Sequence, residues 1–359
     1  MLSVRHVTRS AICFIALTLS TAANCEPPEH KQIFHQDLRP FGFLTEAPGQ
    51  FVTNYTDLNF LTDDLILVTV NTRVYGPIEK VLLDEPLSKV LLFDISQSRL
   101  VKKVEMSVEK STGSVRALED GRFALLNEMG LRVCSRELEC GLARPTRGPL
   151  FVSPGQTKIV VGGNGHTEQT VLDGMTLEEL GRYPWHNPSV IPGDGALLVA
   201  RDTKLYVRVP GQSDRQLPLA GLGTWPTARF INRNTVADFE SDKALAVANL
   251  DGTILFRVRV KARWQVSEVS TSASGTRFCF HEAGYTAVNS FVNFLDFDQG
   301  RPLNFESVKV LSADSGNSLF ELRWDPRPYI GVPTTPVLSP NGQRLAVLRH
   351  GILEIFEVP

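Results

Sequence analysis

The sequence repeats one short pattern, a polar turn followed by a run of apolar, strand-forming residues. The clearest copy is the last one, in which Asn341 and Gly342 lie between two apolar runs. Asn-Gly favours a tight hairpin turn because both residues tolerate positive φ. A second strand then follows at Arg344–Leu348 and a third at Ile352–Val358. A chain built from such units is therefore expected to fold into short antiparallel strands.

Seven turns of this kind can be aligned along the chain. The aligned positions are Asp64, Gly121, Gln156, Gly195, Asn234, Gly275 and Gly342. Successive positions are separated by 57, 35, 39, 39, 41 and 67 residues. The four central spacings are close to the roughly 40–45 residues of a four-stranded propeller blade. The two long spacings indicate insertions, which we place at Asn71–Ser88 and from Ala283 to about Val332.

The rest of each copy also consists of short strands. Third strands are predicted at Leu131–Cys134, Leu205–Arg208 and Ala244–Val247, and a polar turn and a fourth strand follow. No window after the N-terminal segment has the caps and 3.6-residue periodicity of a long helix. We therefore predict an all-β protein, a single seven-bladed β-propeller of four-stranded antiparallel blades. A two-sheet or open arrangement is the alternative.

The last copy, Ser339–Val347, resembles the Ser-Pro-Asp/Asn-Gly-x-x-Ile/Leu-Ala-Val/Phe core of bacterial β-propeller repeats of the TolB-like and WD40-like kind. Ser153-Pro154 and the run from Ser272 to Gly275 match this core in part. The resemblance covers most of Leu58–Val358 and lacks the Gly-His and Trp-Asp dipeptides of eukaryotic WD40 blades. It implies blades and no particular activity, because a fold does not fix a function.

The last copy ends after its third strand, at Val358, so its fourth strand must come from elsewhere. The segment Glu26–Tyr55 is otherwise unassigned, and Lys31–His35 within it is a candidate strand. Pairing this strand with the C-terminal copy would remove two exposed sheet edges, which otherwise promote aggregation. We predict that the N-terminal strand completes the C-terminal blade.

The N-terminus has the order of a secretory signal. Arg5 and Arg9 precede the apolar run Ala11–Leu17, and small residues follow it. The run is too short to span a bilayer. We predict a signal peptide over residues 1–25, cleaved between Ala22 and Cys25, and a propeller domain over residues 26–359 that is exported to the periplasm or the extracellular space. No transmembrane segment is predicted after the signal.

The cysteines bear on both lipidation and disulfides. Lipidation at Cys25 is the alternative to ordinary cleavage, but Asn24 stands where such signals have a small residue. Export permits disulfides, and the spacing of Cys134 and Cys140 suits closure across a hairpin. We predict that bridge, and we interpret Cys279, in an apolar strand, as a small buried hydrophobe. A bridge from Cys25 to Cys279 has no support in the sequence.

The charge balance bears on the partner. There are 37 Lys and Arg residues against 39 Asp and Glu residues, a net charge of -2, and no basic run stands out. A nucleic-acid partner would require a concentrated positive patch. We therefore predict no nucleic-acid partner. We also predict a monomer without cofactor or metal, whose ligand is a protein, a peptide or a glycan.

All four tryptophans fall between the fourth strand of one copy and the next turn. In a propeller this connection lies on the same face as the turns between second and third strands. One interpretation is that each indole packs between blades. The other is an aromatic binding surface with nearby cations, since Trp and Arg are enriched in interface hot spots. The candidate binding residues are Trp185, His186, Trp225, Trp264, Arg323 and Trp324.

No catalytic motif was found. Metalloprotease, nucleophile-elbow and phosphate-loop motifs do not occur, and His281 and His350 are interpreted as loop histidines. We predict an exported, non-catalytic binding scaffold. The alternative is a propeller enzyme of the metal-dependent hydrolase or lactonase type, whose residues would come one per blade to the channel mouth and escape a motif search. Nothing in the sequence encourages a third option, an electron-transfer propeller carrying a quinone.

Overall fold

The computed structural model describes residues 30–45, 51–76, 81–108, 114–162, 168–184, 189–201, 204–209, 211–220, 228–241, 244–260, 265–266, 269–284, 305–324 and 336–359. The chain divides into residues 1–30 and a compact unit of residues 31–359. The strands described below all belong to the second unit. Within the described ranges, the helices of this unit are two 3₁₀ turns at Arg39–Phe41 and Glu119–Gly121. No helix in the described ranges is long and apolar enough to cross a membrane.

The strands form seven antiparallel sheets and are numbered along the chain. The first strand, β1 (Gln32–Asp37), belongs to the last sheet. Sheet one contains β2 (Phe51–Tyr55), β3 (Leu58–Phe60), β4 (Leu65–Tyr75), β5 (Val81–Asp84), β6 (Ser88–Asp94) and β7 (Arg99–Met106). Sheet two contains β8 (Val115–Ala117), β9 (Phe123–Asn127) and β10 (Gly130–Cys134). Sheet three contains β11 (Leu150–Val152), β12 (Lys158–Gly162), β13 (Glu168–Asp173) and β14 (Glu179–Pro184).

The remaining sheets follow the same order. Sheet four contains β15 (Ser189–Pro192), β16 (Leu197–Arg201), β17 (Lys204–Arg208) and β18 (Arg215–Ala220). Sheet five contains β19 (Arg229–Phe230), β20 (Thr235–Ser241), β21 (Ala244–Asn249) and β22 (Ile254–Arg259). Sheet six contains β23 (Gln265–Val266), β24 (Ser270–Thr271), β25 (Arg277–Gly284), β26 (Phe305–Ser312) and β27 (Ser318–Trp324). Sheet seven contains β28 (Val337–Leu338), β29 (Arg344–Arg349), β30 (Ile352–Glu357) and β1.

Seven buried apolar clusters join these sheets. Six lie between sheets that follow one another in the chain, and the seventh lies between the last sheet and the first. The cluster that joins the last sheet to the first contains Leu353 and Ile355 from one side and Val68 and Phe93 from the other. Because every sheet packs against the sheet before and the sheet after it, the sheets form a closed ring. The fold is a seven-bladed β-propeller, as predicted, and each sheet is one blade.

Both faces of each blade are buried, which explains the continuous apolar runs of the second strands. In β29, Leu345 and Val347 pack towards blade six, and the residues that alternate with them, Ala346 and Leu348, pack towards blade one. A strand with one solvated face would instead alternate apolar and polar residues. The sequence pattern of each second strand therefore reports its position between two neighbouring blades.

The N-terminal strand completes the last blade, as predicted. Strand β1 pairs antiparallel with β30, and His35 lies opposite Glu354. Phe34 of β1 is 4% exposed and meets Phe93 of blade one edge to face, with ring centroids 5.8 Å apart. The strand ends at Asp37, two residues beyond the predicted segment Lys31–His35. The two ends of the 31–359 unit thus meet in one sheet.

The turn between the first and second strands of a blade, here called the first turn, explains the repeated motif. A serine opens it in three blades and is 2% exposed or less: Ser153, Ser272 and Ser339. Each hydroxyl accepts a hydrogen bond from the backbone N–H five residues later, at 3.1, 3.2 and 3.0 Å. The fourth residue of each turn has positive φ, which is 63° at Gln156, 67° at Gly275 and 79° at Gly342.

First turns of neighbouring blades also bind one another. The carboxylate of Asp194 in blade four accepts a hydrogen bond from the N–H of Gly155 in blade three, at 3.0 Å. Asn232 Nδ2 in blade five donates to the carbonyl of Gly275 in blade six, at 3.3 Å. Further links of this kind are Arg277 to Gly342 and Arg344 to Asp64. The turns therefore fix the positions of adjacent blades as well as their own strands.

The insertion in blade six is shorter than predicted. Strands β26 and β27 lie inside the predicted range Ala283–Val332 and are the third and fourth strands of blade six. The interruption between β25 and β26 is therefore confined to residues 285–304, which lie outside the described residues, as do residues 325–335. The prediction was wrong because Val308 and Val310 were not recognised as a third strand so far from the turn at Gly275.

We expect Gly275→Ala to destabilise the propeller more than Gly211→Ala. Both glycines have positive φ, 67° and 77°, which costs an L residue about 1–2 kcal/mol. A Cβ at Gly275 would lie 2.5 Å from Asn232 Cβ, whereas one at Gly211 would meet nothing within 4 Å. The extra loss in free energy of unfolding should be about 1–3 kcal/mol, measured by urea denaturation. Equal losses would show that the contact between first turns is unimportant.

Candidate functional site

The face that carries the turns between second and third strands, together with the connections between blades, is called here the upper face. Of the predicted binding residues, Trp185, His186, Trp225 and Trp264 lie outside the described residues. Arg323 and Trp324 are described, and they are the last two residues of β27 rather than part of the connection after it. Arg323 is exposed, whereas Trp324 is partly buried. A binding role for the six residues remains a prediction.

Trp324 joins blade six to blade seven. Its indole Nε1 donates a hydrogen bond to Glu306 Oε2 at 2.8 Å. Its ring stacks on His281, with centroids 6.0 Å apart, and the guanidinium of Arg349 in blade seven lies 4.7 Å from the ring centroid. An indole whose N–H is bonded and whose ring is in contact with two side chains matches the packing interpretation at this position.

A buried polar cluster lies beside Trp324 on β25 and β26. His281 Nε2 and Glu306 Oε1 are 3.1 Å apart, and these side chains are 1% and 0% exposed. Lys309 Nζ lies 2.6 Å from Glu282 Oε1. The prediction of His281 as a loop histidine was wrong, because it lies inside β25. The His-Glu pair was visible in the sequence, but its partners come some 25 residues later, across the insertion.

The chemistry that this cluster offers is limited by its burial. A charged group out of contact with water persists when it is paired and hydrogen-bonded, as Lys309 and Glu282 are here. His281, Glu282 and Glu306 are 1% exposed or less and Lys309 is 9% exposed, so this cluster has little contact with solvent. In the part of the chain that the structure describes, this cluster included, no three or more His, Cys, Asp or Glu side chains are placed to hold a metal ion.

The outer edge of blade two is closed covalently. Cys134 and Cys140 form a disulfide, as predicted, with Cα atoms 3.9 Å apart. Blade two has three regular strands, and its fourth position is occupied by a segment that makes only the bridges Leu131 to Arg144 and Cys134 to Cys140. Cys279 is a free, buried thiol, also as predicted. Burial raises the pKa of this thiol, so it stays protonated and unreactive.

A small sheet projects from blade one on the upper face. Strand β4 has 11 residues, and its last five pair with β2 on one side while Arg73–Tyr75 pair with β5 on the other. Every residue of β5 is exposed. Val81, Leu82 and Leu83 are 49%, 50% and 41% exposed, and Leu87 beside them is 40% exposed. Consecutive apolar residues left in water mark a surface built to contact something else.

Among the described residues, the charges next to β5 are paired within the chain. Arg73 and Asp84 form an ion pair of 2.8 Å, and the hydrogen bond to Asp84 raises the pKa of the Arg73 guanidinium further above its usual range. Lys89 and Glu85 form a second pair of 2.6 Å. Both pairs lie at the Asp84 end of β5, beside the exposed apolar side chains of the strand. Neither the strand β5 nor its exposure was predicted from the sequence.

Comparison with known proteins found matches among solved structures. No family model matches the chain, and no curated protein matches it. The C-terminal WD40 domain of Sif2 is 12% identical, with 89% of this chain and 100% of that domain covered at a TM-score of 0.49. Hsv2p of Kluyveromyces lactis is 12% identical, with 83% and 89% covered at 0.47. BamB from Moraxella catarrhalis is 12% identical, with 88% and 100% covered at 0.41.

The propeller assignment does not depend on these matches. It follows from the seven sheets, their strand order and the seven apolar clusters between them. The predicted resemblance to β-propeller repeats is confirmed at the level of the blades.

We expect Trp324→Phe to lower the free energy of unfolding by about 1–3 kcal/mol, because the buried carboxylate of Glu306 loses a donor. Arg323→Ala, at the exposed neighbouring position, is the matched control and should change stability by less than about 0.5 kcal/mol. Chemical denaturation of both variants measures the difference. If Trp324→Phe were as stable as the native protein, the packing interpretation at this position would be wrong.

Proposed function

We propose that this protein is a binding scaffold whose upper face receives a protein or peptide partner. The observation that carries the proposal is the projecting sheet of blade one, with Val81, Leu82 and Leu83 exposed side by side. Single exposed apolar residues are ordinary on protein surfaces, whereas adjacent ones on a projecting element are characteristic of interaction sites. An apolar, uncharged surface of this kind suits a polypeptide better than a glycan.

The position of the insertions supports the same face. The projecting sheet interrupts the chain between the second and third strands of blade one, and residues 285–304 interrupt it at the same point of blade six. The polypeptide that follows the second strand of a blade emerges on the upper face. Additional segments on a rigid scaffold are where binding functions usually reside.

The proposed location is outside the cytoplasm. The N-terminal order of basic, apolar and small residues supports cleavage and export. The disulfide between Cys134 and Cys140 supports an oxidising compartment, because structural disulfides are rare in the cytosol. An exported propeller with an apolar upper face would meet its partner in the periplasm or outside the cell.

Site-specific photo-crosslinking tests the proposal. A photoreactive amino acid is placed at Leu83 or Arg147 on the upper face, and at Glu119 or Arg233 in exposed first turns on the opposite face, in cells that make the protein. We expect one recurrent protein adduct from the upper-face positions and none from the other two. The mass of the recovered chain should also place the mature N-terminus between residues 23 and 26.

Three outcomes would overturn parts of this proposal. Adducts from the first-turn positions alone would show that the opposite face is used. No adduct from any of the four positions would argue against a protein scaffold. Recovery of a chain that retains Met1 would argue against export and would leave the choice of face unaffected.

A further inference from the structure

Blade one is built in two tiers. In the lower tier, Leu65–Val70 of β4 lie between β3 and β6, and β7 pairs with β6 on the outside. In the upper tier, Asn71–Tyr75 of β4 lie next to β2, and β5 pairs with the outer side of β4. The lower tier therefore has the four strands of an ordinary blade, and the upper tier has three.

The fourth position of the upper tier lies in line with β7. The last pair between β6 and β7 joins Ser88 to Met106, and β5 lies beyond it along the same edge. Among the described residues, no strand pairs with the outer side of β5. An edge strand presents a row of N–H and C=O groups that another strand can pair with. On the inner side of β4 the equivalent position is filled by β2.

Strand β5 is short and its pairing with β4 has a register shift at Leu82, two features that protect natural edge strands, but its side chains lack the third protection of unpaired charge or proline. Natural edge strands carry charges, especially Lys, or proline to prevent pairing with other chains. Here Val81, Leu82 and Leu83 stand in succession, and the one charged residue of the strand, Asp84, is paired with Arg73 at 2.8 Å. Because the described charges beside these side chains are paired within the chain, the segment that complements them is apolar and uncharged.

The size of this surface argues for a single strand as the occupant. Four half-exposed side chains of Val and Leu amount to a few hundred Å² of apolar surface. A stable dimer of globular surfaces needs about 800 Å² from each partner. An added strand needs less side-chain area, since its main-chain hydrogen bonds supply affinity. The edge of β5 is therefore sized for a short extended segment rather than for a second copy of the chain.

We propose that the outer edge of β5 binds an extended, uncharged apolar segment of a partner protein, which adds as the fourth strand of the upper tier. This deepens the proposed scaffold function and rests on it. The fold already uses the same device once, because β1 adds to β30 from a distant part of the sequence to complete blade seven. The partner strand would continue the line of β7, hydrogen-bond to the main chain of β5 and pack its own side chains beside those of Val81, Leu82 and Leu83.

The test uses the full-length exported protein and a phage-displayed library of random dodecapeptides. We expect selected peptides to be rich in β-branched and other apolar residues and to slow amide hydrogen exchange in residues 81–84. The variant Leu82→Lys/Leu83→Lys should weaken their binding at least tenfold. The control variant Leu180→Lys/Leu255→Lys, which changes two equally exposed leucines on the outer strands of other blades, should bind as the native protein does.

The outcomes distinguish strand addition at β5 from the broader proposal of a binding scaffold. Peptides that bind both variants equally, or that protect other residues, would show strand addition at β5 to be wrong while leaving a scaffold function intact. A library that yields no binder would count against the inference in the same way. Concentration-dependent dimerisation of the native protein that is abolished by Leu82→Lys/Leu83→Lys would identify a second copy as the occupant. Photo-adducts from Arg147 without any from Leu83 would place the partner elsewhere on the upper face.

Discussion

The structure depends on the closure of its ring. Each blade buries both of its faces against neighbours, so a blade without a neighbour would leave a whole apolar face in water. Seven blades avoid this only if the last packs against the first, and the cluster around Phe34, Val68, Phe93 and Leu353 forms that contact. Phe34 belongs to β1, which reaches the last blade from the other end of the unit. One short strand thus removes an open edge and completes an apolar interface.

The first turns give the ring its regularity. Three features recur in these turns because each has a separate structural role: a buried serine, a residue with positive φ and a hydrogen bond to the next turn. The serine satisfies a backbone N–H, the positive φ reverses the chain, and the link sets the spacing between blades. Gln156 shows how far the pattern can vary, since it takes a φ of 63° that favours glycine. The first turns therefore join neighbouring blades by hydrogen bonds on the face opposite the upper face.

Much of the fold could be predicted from the sequence because turn chemistry is local and repetition multiplies a weak signal. The seven turn positions and the bridge between Cys134 and Cys140 followed from short-range patterns, and the closing strand followed from the missing fourth strand of the last copy. The upper tier of blade one could not be predicted, because β5 has no alternation and is defined only by its pairing with β4. His281 was misplaced for a related reason, since its burial depends on Glu306, 25 residues later in the chain. Function was least predictable, because a propeller motif specifies a blade and is silent about its ligand.

The proposed function rests on the ring and on the sheet that blade one carries. Closure places every blade between two neighbours, and blade one adds a three-stranded upper tier with one exposed apolar edge. The most direct test of the central claim, ring closure by β1, is a disulfide between directly opposed residues. The double variant His35→Cys/Glu354→Cys should form an intramolecular bridge on mild oxidation, because these residues face each other across β1 and β30. The offset control Gln36→Cys/Glu354→Cys should not, since adjacent residues of a strand point to opposite faces. Peptide mapping by mass spectrometry identifies the bridge. Its absence from the first variant, or equal formation in both, would contradict closure by this strand in this register.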